Sequence, residues 1–259
     1  MLGWVLLAAP VATALAGPLV AGSPRSEAAP LRPPSDAHPL GTDVLGRDVL
    51  ALVLTGGRSV LLLAGLALLL CYLAGVPLAL LAAGQRHRWL DEALLRVLDL
   101  LLALPGLLVL LVLAATGRQG AGMLIVTAAA LQLPAVVRLV RGAALAPGCR
   151  AAVEAMTLQG EPWWRIHLGY VGRTVLGPTL VDAGSRLILV LYLIASANFL
   201  GFGLEPSTSD WAVLIERNRE AVFIQPLAVL VPAALLVVLC TGGNLVVDRA
   251  LANRRVVPA

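Results

Sequence analysis

Long apolar stretches constrain the fold of this chain more than any other feature. Six of them lie near residues 2–20, 58–83, 98–115, 122–140, 176–201 and 226–247. A helix of about 20 apolar residues crosses the hydrocarbon core of a bilayer. Hydrophobic residues make up 59% of the chain and charged residues only 13%. The pattern therefore predicts an all-α, polytopic membrane protein, with six transmembrane helices in one domain over residues 1–259.

The first apolar stretch, residues 2–20, also has to be compared with a signal peptide. It has no basic segment before its apolar run, and small residues mark a cleavage site only weakly. We therefore expect a retained transmembrane helix at this position.

Arginine supplies all nineteen basic side chains, because lysine is absent. Eleven arginines flank one set of loops and the chain terminus, whereas seven lie with eight acidic residues on the opposite face. The positive-inside rule then predicts that the arginine-rich loops and both termini are cytoplasmic. Without lysine, the chain has no ordinary Walker A loop, because that loop needs a lysine at the phosphates. If transport uses ATP, another subunit has to bind it.

The three cysteines and three histidines lie far apart in the sequence. They are Cys71, Cys149, Cys240, His38, His87 and His167. Their spacing matches neither a disulfide or zinc framework nor an H-E-x-x-H helix. We expect no metal site, no catalytic group and no cofactor bound by this chain, and we interpret the histidines as loop residues.

A polar island, residues 149–173, separates the fourth and fifth apolar stretches. Gly160 can end a first short helix, and Pro162 suits the first turn of a second, where a missing N–H costs nothing. The island therefore predicts two short helices joined by a sharp bend, which would project as a knob.

Within this island, Glu154-Ala155-Met156-x-x-x-Gly160 resembles the Glu-Ala-Ala-x-x-x-Gly signature of ABC-importer permeases. The resemblance implies that the knob docks into a separate ATPase subunit. It assigns Glu154, Ala155, Gly160, Trp164 and Arg165 to that contact.

The chain departs from the family pattern at two places in the island. Met156 replaces the second alanine, and Gly172-Arg173 stands where the family usually has Leu-Pro. The shape of the second coupling helix therefore stays open.

A second motif, His-Pro-Leu-Gly-Thr-Asp-Val-Leu-Gly-Arg-Asp-Val-Leu, ends a proline-rich loop over residues 22–48 and runs on to Leu50. It resembles the dipeptide, oligopeptide and nickel branch of importer permeases, in the second of their two permease subunits. The motif residues singled out by the resemblance are His38, Gly41, Thr42, Asp43, Gly46, Arg47 and Asp48.

These motif residues have a structural and a functional interpretation. Thr42 or Asp43 can cap a short helix, and Asp48 can pair with Arg47 or Arg58. The alternative is contact with a substrate-binding protein at the outer mouth.

Two acidic residues lie inside apolar stretches with an arginine nearby. Asp99 follows Arg96 by three residues, within Arg-Val-Leu-Asp-Leu-Leu-Leu-Ala-Leu-Pro, which resembles the start of the third helix in the same family. Asp182 and Arg186 lie four residues apart, on one helical face. Both pairs are interpreted as stabilising ion pairs, with a gate as the alternative.

Two further stretches carry the resemblance to the end of the chain. Residues 199–211, Phe-Leu-Gly-Phe-Gly-Leu-Glu-Pro-Ser-Thr-Ser-Asp-Trp, place a tryptophan at the expected headgroup interface. Asn198 and Ser196 beside them can line a pathway or bond a neighbouring helix. Asn244-Leu-Val-Val-Asp248 resembles the ending of the family.

The resemblance implies one half of a translocation pathway in a bacterial inner membrane. The expected partners are a second permease, two ATPase subunits that carry ATP and Mg²⁺, and an extracytoplasmic binding protein. The expected cargo is peptides, nickel or metal chelates. The alternatives are a self-sufficient secondary transporter or channel, which would favour unpaired ionisable residues at the midplane, and an intramembrane enzyme.

Overall fold

The computed structural model describes residues 2–21, 28–84, 88–116, 120–201, 203–205 and 208–255. These residues confirm the all-α class, since an isolated bridge between Thr42 and Asp48 is the one β-type pairing among them. Two further segments are a π-helix over Arg165–Val171 and a 3-10 turn over Arg219–Ala221. The α-helices are α1 (Leu2–Val20), α2 (Val49–Ala83), α3 (Arg88–Ala103), α4 (Gly106–Ala115), α5 (Ala121–Ala144), α6 (Pro147–Leu158), α7 (Gly172–Phe199), α8 (Trp211–Asn218) and α9 (Leu227–Arg255).

Five of the described helices are long and apolar enough to cross a membrane, and a bent pair raises the number to six. The bent pair is α3 and α4, whose axes differ by 78°. Pro105 lies at the break with extended backbone (φ −62°, ψ 120°). The predicted span over residues 98–115 is therefore broken at Pro105, because proline removes an N–H and forces its predecessor out of the helical region.

The second span begins at Val49, nine residues before its predicted start at Arg58. Asp48 caps it by accepting a hydrogen bond from the Leu50 N–H at 3.2 Å. The helix has 35 residues, which corresponds to a length of about 50 Å. It therefore runs from one end of the bundle to the other.

Helix α2 is the centre of the packing. It contacts α1, α5 and α7, while α1 also packs along α9. Small residues permit the closest approaches: Ala79 is fully buried, and a Cβ added to Gly75 would lie 2.9 Å from Val136 Cγ1. Gly65 has nothing within 4 Å of such a Cβ among the described residues, so it makes no close helix contact there.

The buried residues form two clusters at opposite ends of α2. We name the end that carries residues 28–48 and α8 the α8 end, and the end that carries residues 147–171 the α6 end. Leu52, Leu124, Ile194 and Trp211 belong to the cluster at the α8 end. The cluster at the α6 end joins α2, α5, α6 and the start of α7, through Ala79, Val140, Cys149, Val171 and Val175.

Trp211 corrects an expectation from the sequence. The indole is fully buried at the α8 end, and its Nε1 donates a hydrogen bond to the Val53 carbonyl at 2.7 Å. A Cβ added to Gly57 would lie 2.4 Å from the ring. The side chain is therefore part of the core and does not lie at a headgroup interface.

Candidate functional site

The knob at the α6 end begins with α6, which ends as its glycine predicts. Gly160 has a φ of +79°, in the left-handed region that favours glycine. The Gly160 N–H donates to the Thr157 carbonyl, and the Glu161 N–H donates to the Met156 carbonyl, both at 3.1 Å. These two bonds form a Schellman motif, which turns the chain sharply away from the helix axis.

The second half of the knob differs from the expected short helix. Residues 163 and 164 are helical, the π-helix Arg165–Val171 follows, and α7 continues without a break. Residues 163–177 contain no proline, so every N–H in this stretch remains available for the helix. Gly172-Arg173, which stand where the family pattern has Leu-Pro, therefore lie in a continuous helical segment that extends the fifth span into the knob.

The five predicted coupling residues are all exposed: Glu154, Ala155, Gly160, Trp164 and Arg165. Glu154 accepts a hydrogen bond from Arg150 at 3.2 Å, and Arg165 donates to Glu161 at 3.1 Å. Both ion pairs join residues four apart on the surface, where a pair contributes little stability. The knob can exchange them for intermolecular contacts at small cost.

Apolar side chains anchor the knob to the bundle. Cys149, Ile166 and Val171 are buried, and Val171 packs in one cluster with Leu80 and Val140. Burial raises the pKa of the Cys149 thiol above its ordinary value, so this cysteine stays protonated and unreactive. The knob is therefore a rigid extension of α2, α5 and α7.

Two cavities flank the knob. One of about 590 Å³ is lined by Met156, Trp164, Arg165, Tyr170 and Arg173, together with Gly169 and Thr174. The other, about 560 Å³, lies between the knob and the ends of α2 and α5, with Arg150, Glu154 and His167 in its wall. Aromatic and arginine side chains of this kind are enriched where proteins bind one another.

His167 is a second correction, because it does not lie in a loop. It is half-buried in the π-helix, and its ring stacks on that of Trp163, with centroids 4.8 Å apart and planes 15° apart. His38 does lie in a loop, and His87 falls outside the described residues.

At the α8 end, the second motif folds into a closed loop. Gly41 and Gly46 have φ values of +75° and +73°, which the turns of this loop require. The Thr42 hydroxyl donates to the Ala29 carbonyl and accepts from the Arg32 N–H, both at 2.8 Å. Thr42 thus pins two parts of the loop together and caps no helix.

Asp43 is the centre of this loop and is fully buried. Its carboxylate accepts hydrogen bonds from the N–H groups of Leu45 and Arg47 and from the Arg47 guanidinium at 2.9 and 3.0 Å. Arg47 therefore pairs with Asp43. Asp48 instead caps α2, and its Oδ1 lies 3.9 Å from His38 Nδ1. The expected pairing of Asp48 with Arg47 or Arg58 is not among the ion pairs of the described residues, in which Asp48 caps α2 and Arg47 pairs with Asp43.

Three residues that hold this loop were missed by the sequence analysis. The Arg217 guanidinium lies 3.6 Å from Asp43 Oδ2, with only 8% of its side chain exposed. Asn218 accepts a hydrogen bond from the Val44 N–H at 3.1 Å. Gln225 donates to the carbonyls of Arg32 and Leu40 at 2.9 and 3.0 Å. All three lie more than 170 residues from their partners, so no local signal could have identified them.

Asn198 of α7 also forms hydrogen bonds at the α8 end. It is buried, donates to Asp210 at 3.3 Å and accepts from the Leu204 N–H at 3.0 Å. Asp210 in turn caps α8 by accepting from the Ala212 N–H at 3.0 Å. Asn198 therefore bonds within the α8 end, one of its two expected roles.

The partner of Asp99 is not Arg96. The structure pairs Asp99 with Arg138 of α5, while Arg96 points to the exposed side of α3. Both side chains of the pair are about half exposed, 53% for Asp99 and 47% for Arg138. The pair joins α3 to α5, which a spacing rule within one helix cannot predict.

Asp182 and Arg186 do come together, in a two-point ion pair with both contacts at 2.8 Å. The Tyr72 hydroxyl of α2 donates to Asp182, and Arg186 donates to Gln132 of α5 at 3.0 Å. The network satisfies two charges within the apolar bundle and ties three helices together. Tyr72 and Gln132 were missed, since neither is charged or close in sequence.

These features define the class of protein: a bundle of membrane-spanning helices that carries an exposed, rigidly anchored knob between two spans. The family described as "Binding-protein-dependent transport system inner membrane component" matches residues 75–255. The chain belongs to this family. It is a permease component of a binding-protein-dependent transport system and a multi-pass membrane protein.

Curated relatives extend the similarity beyond that region. The glutathione transport system permease protein GsiD of Pectobacterium atrosepticum is 30% identical over 215 residues, 83% of this chain and 71% of the relative. The probable peptide ABC transporter permease protein y4tQ of Sinorhizobium fredii is 31% identical over 250 residues, 96% of this chain and 85% of the relative. The expected family is thereby confirmed.

A solved structure of the MetNI methionine ABC transporter in inward facing conformations shares the fold. The TM-score is 0.61 at 15% identity, over 76% of this chain and 95% of the solved chain. The importer-type permease fold predicted from the sequence is thereby confirmed.

Proposed function

We propose that this chain forms one half of the translocation pathway of an ATP-driven peptide importer. We further propose that a separate ATPase subunit docks on its knob and displaces it. One observation carries the proposal: five exposed knob residues project from a segment whose other side is buried among α2, α5 and α7. A surface that is displayed and yet rigidly anchored suits a contact that has to transmit force.

The docking contact is assigned to Glu154, Ala155, Gly160, Trp164 and Arg165. The adjoining cavity offers aromatic and guanidinium groups to an inserted side chain of the ATPase. ATP and Mg²⁺ are placed on that partner, because this chain has no lysine for a phosphate loop. The chain itself is proposed to be non-catalytic.

A second permease is proposed to cover an apolar groove between α2 and α7. The groove has a volume of about 450 Å³, and its wall contains Gly65, Leu69, Leu73, Leu176 and Leu180. Gly65 presents bare backbone there, which is how small residues let membrane helices approach closely. Gly65 has no neighbour at this position among the residues that the structure describes, which supports a partner helix from another chain.

Peptides are proposed as cargo because the named relatives are permeases for peptides or glutathione. The closed loop over residues 28–48 and α8 offer a preformed surface for an extracytoplasmic binding protein. The arginine distribution supports a cytoplasmic α6 end and an α8 end on the outer side. The proposed location is the bacterial inner membrane, with both chain termini in the cytoplasm.

Cysteine labelling tests this orientation. Single cysteines at Ser35 and Gln159, both exposed, would be introduced into a variant without Cys71, Cys149 and Cys240. We expect an impermeant thiol reagent added outside intact cells to label position 35 and not position 159. The reverse pattern would invert the proposed topology.

Reconstitution tests the function. The chain would be placed in liposomes alone, or with its second permease, ATPase subunits and binding protein, and uptake of a labelled dipeptide, a tripeptide, glutathione and a nickel–histidine complex would be measured. We expect peptide uptake only with the complete set and ATP. Uptake by the isolated chain, driven by an ion gradient, would instead establish a secondary transporter.

A further inference from the structure

The end of α2 touches the knob at a place where α2 has no side chain. A Cβ added to Gly84 would lie 2.8 Å from His167 Cδ2 and 2.8 Å from Trp163 Nε1. Gly84 has a φ of −89°, which any residue adopts, so its backbone does not require glycine. The absence of a side chain is needed because two ring edges meet the backbone here.

The two rings form a stiff unit. They stack in nearly parallel planes, and His167 Nδ1 lies 3.2 Å from the Trp163 carbonyl oxygen. The chain on either side of His167 is fixed, since Ile166 and Val171 are buried. A push on the knob therefore reaches Gly84 through planar rings, which have fewer rotatable bonds than a long aliphatic side chain.

A cavity makes this contact mechanically important. The 560 Å³ space between the knob and the ends of α2 and α5 has His167 in one wall and Ala82 and Ala83 in another. Close packing transmits displacement, whereas a void absorbs it. The stack joins α2 to the knob at the edge of this gap, next to the cluster in which Val171 packs with Leu80.

We propose that Trp163 and His167 are positioning residues that pass the displacement of the docked knob to α2 through Gly84. The proposal rests on the proposed function of the knob. Helix α2 is about 50 Å long, so a displacement of its end at Gly84 reaches the α8 end, where Trp211 packs on Gly57. The stack would thus link the ATPase to the opposite mouth of the pathway.

A distance measurement tests the link directly. Spin labels at Leu158 of the knob and Leu66 of α2, both exposed, would be introduced into the assembled complex, which then receives a non-hydrolysable ATP analogue. We expect the distance to stay constant in the parent complex, because knob and α2 move together. It should change with nucleotide in His167→Ala and become constant again in His167→Phe, which keeps a planar ring.

The proposal is overturned if the distance between the two labels does not change with nucleotide in His167→Ala. It is also overturned if that distance already changes with nucleotide in the parent complex. A general structural role would lower the yield of assembled complex in His167→Ala together with uptake, and that result also counts against transmission. If no ATPase subunits co-purify with the parent chain, the proposed function of the knob fails. That failure is distinguishable from failure of the transmission proposal, because it is observed before any distance is measured.

Gly84→Ala provides a second test. Adding the methyl group displaces the rings without backbone strain, and we expect labelled-dipeptide uptake per ATP hydrolysed to fall about fivefold, within the range for residues that modulate coupling. Gly142→Ala of α5 is the matched control, because nothing lies within 4 Å of its added Cβ. An unchanged ratio in Gly84→Ala, with normal assembly, would refute transmission through this contact.

Discussion

The two ends of the bundle hold their charges in opposite ways. At the α8 end, the fully buried Asp43 is paired with Arg47, four residues away in the same loop, and lies beside Arg217 of α8, which is distant in sequence. At the α6 end, the Arg150–Glu154 pair is local, with 71% and 67% of its side chains exposed. Both regions carry family-like motifs, yet one motif is built into the fold and the other is displayed. A family-like motif therefore does not by itself indicate whether its residues stabilise the fold or form an exposed surface.

The largest effect that this comparison predicts is on stability at the α8 end. Asp43→Asn removes the buried carboxylate that faces Arg47 and Arg217, and breaking a buried pair in this way costs about 3–5 kcal/mol. We expect a strongly reduced unfolding temperature for the detergent-solubilised chain. Normal thermal unfolding would show that Arg47 and Arg217 do not depend on Asp43.

A smaller loss of stability is expected where Trp211 packs on α2. The Cβ of Gly57→Ala would meet the indole at 2.4 Å and Ala14 Cβ at 2.8 Å. Overpacking of this kind costs about 1–3 kcal/mol. Gly65→Ala on the same helix is the matched control, since its Cβ meets nothing and alanine favours the helix. Equal unfolding temperatures for the two variants would argue against a tightly packed α8 end.

At the α6 end, Gly160→Val should affect assembly more than stability. A β-branched residue at a φ of +79° is strained by about 1–2 kcal/mol, which misplaces the knob. We expect normal membrane insertion and reduced co-purification of the ATPase subunits. Gly148→Val in α6, where an added Cβ has open space, controls for bulk alone. Full recovery of ATPase with Gly160→Val would contradict docking through this bend.

The smallest change in stability is expected for Glu154→Gln. Losing an exposed ion pair should shift the free energy of unfolding by at most about 0.5 kcal/mol. If Glu154 contacts the ATPase, its removal should still weaken subunit binding, measured by titrating ATPase onto the immobilised permease. A change in stability as large as that of Asp43→Asn would erase the contrast between the two ends.

Local chemistry explains which features could be predicted. The apolar stretches, the turn at Gly160 and the proximity of Asp182 to Arg186 each depend on residues within a few positions of one another. Periodicity, positive φ and four-residue spacing encode such features directly. The break at Pro105 was also readable from the residue type, although the apolar run on both sides concealed it.

The sequence by itself determined the membrane-spanning class, the position of the bend in the knob and the family-like motifs. Tertiary structure decided which charges meet and which rings are buried: Asp99 with Arg138, Asp43 beside Arg217, Trp211 against Gly57, and His167 against Gly84. Each of these contacts joins separate segments, some of them more than 150 residues apart. Their energies depend on how helices pack, and no spacing rule within one helix contains that information.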